Sequence, residues 1–127
     1  MSPAQRWLRW SGFLIGGIIL FWLPIEDLNL TTVVILAAPV CFWLMMVCAV
    51  KKRIPSRFYA WGGLFAGLMV GPMAFIFMVF KIGLHHHLTP DFTLTELLQL
   101  LRVSPVWGLS GFMAGLGMYL YLLSRSR

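Results

Sequence analysis

Three consecutive histidines, His85, His86 and His87, are the only ones in the chain, and they stand in the stretch KIGLHHHLTPDF between Lys81 and Phe92. Imidazole is a ligand for Zn²⁺ and Cu²⁺, so metal binding is the first chemistry to weigh. On a helix, neighbouring side chains point about 100° apart, and three in a row cannot converge. In an extended chain that begins once Gly83 has ended the preceding helix, His85 and His87 share a side. Asp91 then supplies a third donor, with more from a partner chain. Against this stands a polar turn, with histidines at the headgroup level of a membrane and Pro90 opening the next element. Haem takes its axial ligands from facing helices, and no other apolar segment holds a histidine, so a bis-histidine haem within one chain is not expected. The polar turn is the plainer reading. It implies no cofactor, and Zn or Cu at His85, His87 and Asp91 is the alternative.

Other reactive side chains are sparse. Cys41 and Cys48 are seven residues apart in one apolar run. That spacing puts them on one helical face but too far apart for a disulfide, and packing is their expected role. Ser11, Ser104 and Ser110 lie among glycines, away from any histidine in sequence, so no nucleophile–base–acid set is suggested. No acid falls within an apolar run, and a proton-coupled exchanger normally needs one there. An enzyme is not expected. The hallmark residues of small four-span groups are also missing: the membrane arginine–asparagine set of fluoride channels, the membrane glutamate of small multidrug exporters and the paired cysteines of quinone-linked thiol oxidoreductases.

The elements that carry these residues follow from composition. Of 127 residues, 60% are hydrophobic and 11% charged. Trp10–Ile25, Leu28–Val50, Phe58–Phe80 and Val103–Ser124 hold no charged residue or histidine. Roughly 20 apolar residues cross a bilayer as a helix. The expectation is an all-α integral membrane protein, one domain over 1–127, with four transmembrane helices at about 6–24, 30–50, 57–82 and 105–124. The first span includes Trp7 and Leu8 and lets Arg9 reach the headgroups. It begins like a signal peptide but lacks a small-residue cleavage site, so a retained anchor is expected. The net charge of +6 reports topology rather than nucleic-acid binding. Arg6, Arg9, Lys51, Lys52, Arg53, Arg57, Arg125 and Arg127 fall at the termini and in the second loop, while Glu26, Asp27, Asp91 and Glu96 fall in the first and third. Both termini are therefore expected on the cytoplasmic side of a prokaryotic-type inner membrane, in contact with anionic lipid.

The third loop carries its own pattern. Thr93 and Glu96 have capping-box spacing. Leu94, Leu97, Leu98 and Leu101 make one face, with Thr95, Glu96, Gln99 and Arg102 opposite. A short amphipathic helix over 93–103, lying in the interface between helices 3 and 4, is expected. Lys81 and Arg102 are read as interfacial charges, Lys81 snorkelling from the end of the third span. Arg6–Gly17 and Arg57–Leu68 align without gaps, a hint that two hairpins repeat.

In lipid, helices associate where small residues allow backbones to approach. Gly12 and Gly16 supply such a face in the first span, Gly63, Gly67 and Gly71 in the third, and Gly108, Gly111 and Gly115 in the fourth. Pro39 and Pro72 sit in mid-span and should kink their helices. These faces suggest an accessory or assembly subunit docked to other membrane subunits or to itself. A small homo-oligomeric transporter or channel, and a metal-binding protein using the loop histidines, are the alternatives.

Overall fold

The computed structural model describes residues 3–25, 29–52, 55–85 and 93–125. Among them every element is helical: α1 (Pro3–Trp22), α2 (Leu30–Lys52), a 3₁₀ turn (Ser56–Phe58), α3 (Tyr59–Leu68), α4 (Val70–His85), α5 (Leu94–Arg102) and α6 (Ser104–Arg125). Three stretches are long and apolar enough to cross a membrane: Leu30–Lys52, Ser56–Leu84 and Leu94–Arg125. The chain is built as a membrane protein. Helix α1 has 20 residues but carries Arg6 and Arg9 in its first half.

Helices α3 and α4 continue one another across Met69, bridged by Met69 N–H to Phe65 O at 3.0 Å and Met73 N–H to Met69 O at 2.9 Å. The sequence places the disturbance at Pro72. It falls one turn earlier because a proline ring has no N–H to give and crowds the carbonyl four residues before it, here Leu68. Helix α2 runs unbroken through Pro39. Helix α5 passes into α6 through Val103 alone, two residues before Pro105.

Helix α2 is central, with α1 on one side and α3–α4 on the other; α6 packs along α3, and α5 lies on α4. The apolar core joins Trp22 of α1, Val33, Val34, Ala37, Ala38 and Cys41 of α2, Val70, Ala74 and Met78 of α4, and Leu100 of α5. At the start of α5 Thr93 Oγ1 accepts from Glu96 N–H (3.3 Å) and Glu96 Oε2 accepts from Thr93 N–H (2.8 Å). This is the capping box read from the sequence. The described side chains of the leucine face are not the ones that dock. Leu100 is buried on α4, whereas Leu94, Leu98 and Leu101 stay exposed.

The α3–α6 seam is the tightest part of the molecule. A Cβ added to Gly63 would collide with the Gly111 carbonyl, and one added to Gly111 with the Gly63 carbonyl. Gly67 is equally close to the carbonyl of Trp107, Gly71 to Ser104 Oγ, and Gly115 to the carbonyl of Tyr59. Residue numbers fall on α3–α4 as they rise on α6, so the pair is antiparallel and its close approach runs over about three turns. Gly108 receives Leu68 and Leu64 in the same seam.

Candidate functional site

Lys81 is the one buried charged side chain among the described residues, with 1% of its surface exposed. It lies three turns beyond Val70 on α4, and α4 turns it toward the core rather than toward the helix end. Its Nζ sits 3.8 Å from the centroid of the Trp22 ring, at the end of α1. This corrects the snorkelling lysine expected from sequence. Proximity to a span end allowed snorkelling, but the indole face offers the ammonium a negative quadrupole inside the protein. Trp22 Nε1 is buried and has no hydrogen-bond partner among the described residues. The ring is therefore held by its packing and by the cation on its face. An ionisable group inside a membrane protein is a default mark of function, because holding it there is costly. Nothing in sequence linked Lys81 to Trp22. A tryptophan near the end of one apolar run and a lysine just past the end of another were the available signal.

A second feature is a lateral groove of about 490 Å³ between α2 and α3–α4. Cys41, Met45 and Cys48 line it from α2, and Tyr59, Gly62, Met69 and Pro72 from the other side. The shared face expected for Cys41 and Cys48 faces this groove. Cys41 is buried, Cys48 is exposed, and both are free thiols. The lining is almost wholly apolar, so the groove suits a lipid tail or an apolar side chain more than a reaction.

The small-residue faces divide into two groups. Gly63, Gly67, Gly71, Gly108, Gly111 and Gly115 are used inside the molecule, in the α3–α6 seam. Gly12 is used differently: a Cβ there would stand 2.6 Å from Cζ2 of Trp43 on α2. The same indole donates from Nε1 to the Leu8 carbonyl at 2.9 Å. Gly16 and its neighbour Gly17 face open space. The aligned pairs Gly12/Gly63 and Gly16/Gly67 thus have different surroundings.

The histidine cluster is only partly placed. Helix α4 runs through Gly83 and ends at His85, so Gly83 does not stop the helix as the extended-ligand arrangement required. His87 and Asp91 lie outside the described residues. Arg102 is exposed at the last turn of α5. At the opposite end of the hairpins, Arg9 and Lys51 line one cleft. Arg57 lies over the Phe58 ring at 5.2 Å beside the start of α3, and Arg125 lies over Tyr121 at 5.2 Å at the end of α6. Compared with protein-family models, curated proteins and solved structures, the chain matches none.

Proposed function

We propose that the chain is a four-span accessory subunit of a larger integral membrane complex, docked to its partner through α1. In this reading α1 is the fourth span, with Arg6 and Arg9 at the headgroups, and α5 lies in the opposite interface with Leu94, Leu98 and Leu101 toward the acyl chains. Both termini and the basic second loop face the cytoplasm of a prokaryotic-type inner membrane. The observation that carries the docking is the division of the glycines. The α3–α6 set is used up internally, while Gly16 and Gly17 leave α1, which packs extensively only on α2, a smooth face with nothing against it. Small residues of that kind are where membrane helices approach one another.

Gentle extraction with native lipids, followed by intact-mass measurement, tests the reading. A heteromeric assembly that loses its partner in Gly16→Leu, with the chain still folded, is expected. A homo-oligomer without foreign subunits in the wild type contradicts it. A transporter is favoured by one observation only, the burial of Lys81. For that reading the purified protein should move an anion across liposomes unaided, and Lys81→Met should abolish the flux.

A further inference from the structure

The first turns of α1 and the last turns of α2 lie beside the contact of Gly12 with Trp43, where the indole ring packs on the glycine. The space they enclose is a wedge of about 600 Å³. From α1 it is lined by Gln5, Leu8 and Arg9, one helical stripe at i, i+3 and i+4. From α2 it is lined by Trp43, Val47, Val50 and Lys51, a stripe at i, i+4, i+7 and i+8. The chemistry is graded along it. Trp43, pinned to α1 through Leu8 O, closes the narrow end, and Leu8, Val47 and Val50 form apolar walls. Lys51 stands about eight residues of helix, roughly 12 Å, beyond Trp43 at the open end; Arg9 follows Leu8 directly on the facing wall, and its long side chain tilts toward the start of α1, hence toward the open end.

We propose that this wedge binds one anionic phospholipid, its phosphate between Arg9 and Lys51 and the first part of its acyl chains on Leu8, Val47 and Val50. Three features support the assignment. Apolar walls with one cation from each helix match an anionic amphiphile and not a neutral lipid or a free sugar. The volume lies within the roughly 300–1,000 Å³ of sites that enclose a small ligand. The open end is also the end where Arg57 and Arg125 lie, and anionic headgroups gather at the basic, cytoplasmic face of such proteins. A bound phosphate also counters the charge of Arg9, which α1 carries at its eventual headgroup level. Arg9 and Gln5 already have partners within the protein, so the lipid adds to an ordered site rather than filling a vacant one.

The test is retention of phosphatidylglycerol by the full-length protein through graded delipidation, read by native mass spectrometry, with phosphatidylcholine as the comparison lipid. Wild type should keep one phosphatidylglycerol per chain and release phosphatidylcholine. With two basic contacts removed, R9Q/K51Q should weaken retention about thirty-fold. R6Q/K52Q, with the same change in net charge outside the wedge, should change it little. Val47→Trp fills the wedge while keeping both charges and should also release the lipid, and R9K/K51R should restore it. Equal losses in R9Q/K51Q and R6Q/K52Q mean diffuse attraction to the surface and overturn the site. So does displacement of the lipid by inorganic phosphate at modest ionic strength, which makes the phosphate alone the ligand.

Discussion

Replacing Gly67 by alanine tests the α3–α6 seam directly. The new Cβ would stand 2.8 Å from the Cα of Gly108 and closer still to the carbonyl of Trp107. Unbonded carbons prefer about 3.5–4.0 Å, so the two helices must part by about 1 Å at that point. Both neighbours are backbone atoms, which cannot swing aside as a flexible side chain can. A gap of about 0.5–1 Å forfeits a quarter to a half of each dispersion contact along the seam. Overpacking of this kind costs about 1–3 kcal/mol. Alanine recovers up to about 1 kcal/mol over glycine in helix propensity, leaving a net loss of up to about 2 kcal/mol. Gly16→Ala meets nothing and should keep only the propensity gain. Reversible unfolding in mixed micelles titrated with SDS, followed by circular dichroism, measures both. Gly63→Ala and Gly111→Ala should also combine to less than their sum, because each collides with the other's carbonyl and one separation relieves both. Equal stability of Gly67→Ala and Gly16→Ala, or strict additivity of the second pair, would refute the backbone-contact seam.

The remaining expectations are narrower. Lys81→Met should leave the fold intact or more stable in the same unfolding assay, because a packed apolar isostere replaces a buried charge; Trp22→Leu, which keeps the charge and removes the ring beneath it, should cost about 2 kcal/mol. Thr93→Ala removes the oxygen that accepts from Glu96 N–H and should lower the stability of α5 by about 1 kcal/mol, seen as faster hydrogen exchange confined to residues 94–102. In detergent micelles N-ethylmaleimide should modify the exposed Cys48 at least about ten-fold faster than the buried Cys41, read by peptide mass mapping of the singly labelled protein.

Helices were legible because their signals are local. Long uncharged runs, the Thr93–Glu96 pair and Pro105 each act within a few residues, and each appears at or near its expected position. Pairing was not legible for the same reason. Gly12-x-x-x-Gly16 and Gly63-x-x-x-Gly67 read alike, yet one glycine takes a tryptophan ring, one faces open space and two touch another backbone. The difference is set by Trp43 and by Gly111 and Trp107, far away in sequence. Lys81 carries the same lesson. Its neighbours Phe80 and Ile82 are compatible with either snorkelling or burial, and only Trp22, about sixty positions earlier, decides. The displaced break at Met69 was legible in principle, because a proline acts on the carbonyl one turn before it.

The two hairpins are joined by different physics, and this bears on what α1 can do. Helices α3 and α6 share a continuous backbone-to-backbone seam, where the cost of separation is spread over many small contacts. Helix α1 is tied to the rest chiefly at two points. Near its start the Trp43 indole donates to Leu8 O, a bond of about 1 kcal/mol net. At its end Trp22 enters the core under the Lys81 ammonium, a contact of about 2 kcal/mol when desolvated. Between them lie Gly16 and Gly17 with nothing packed against them. A helix fixed at both ends and bare in the middle keeps its position without filling its own small-residue face. For the docking proposed above, such a helix would already be oriented when a partner arrives, so binding would not also have to order it.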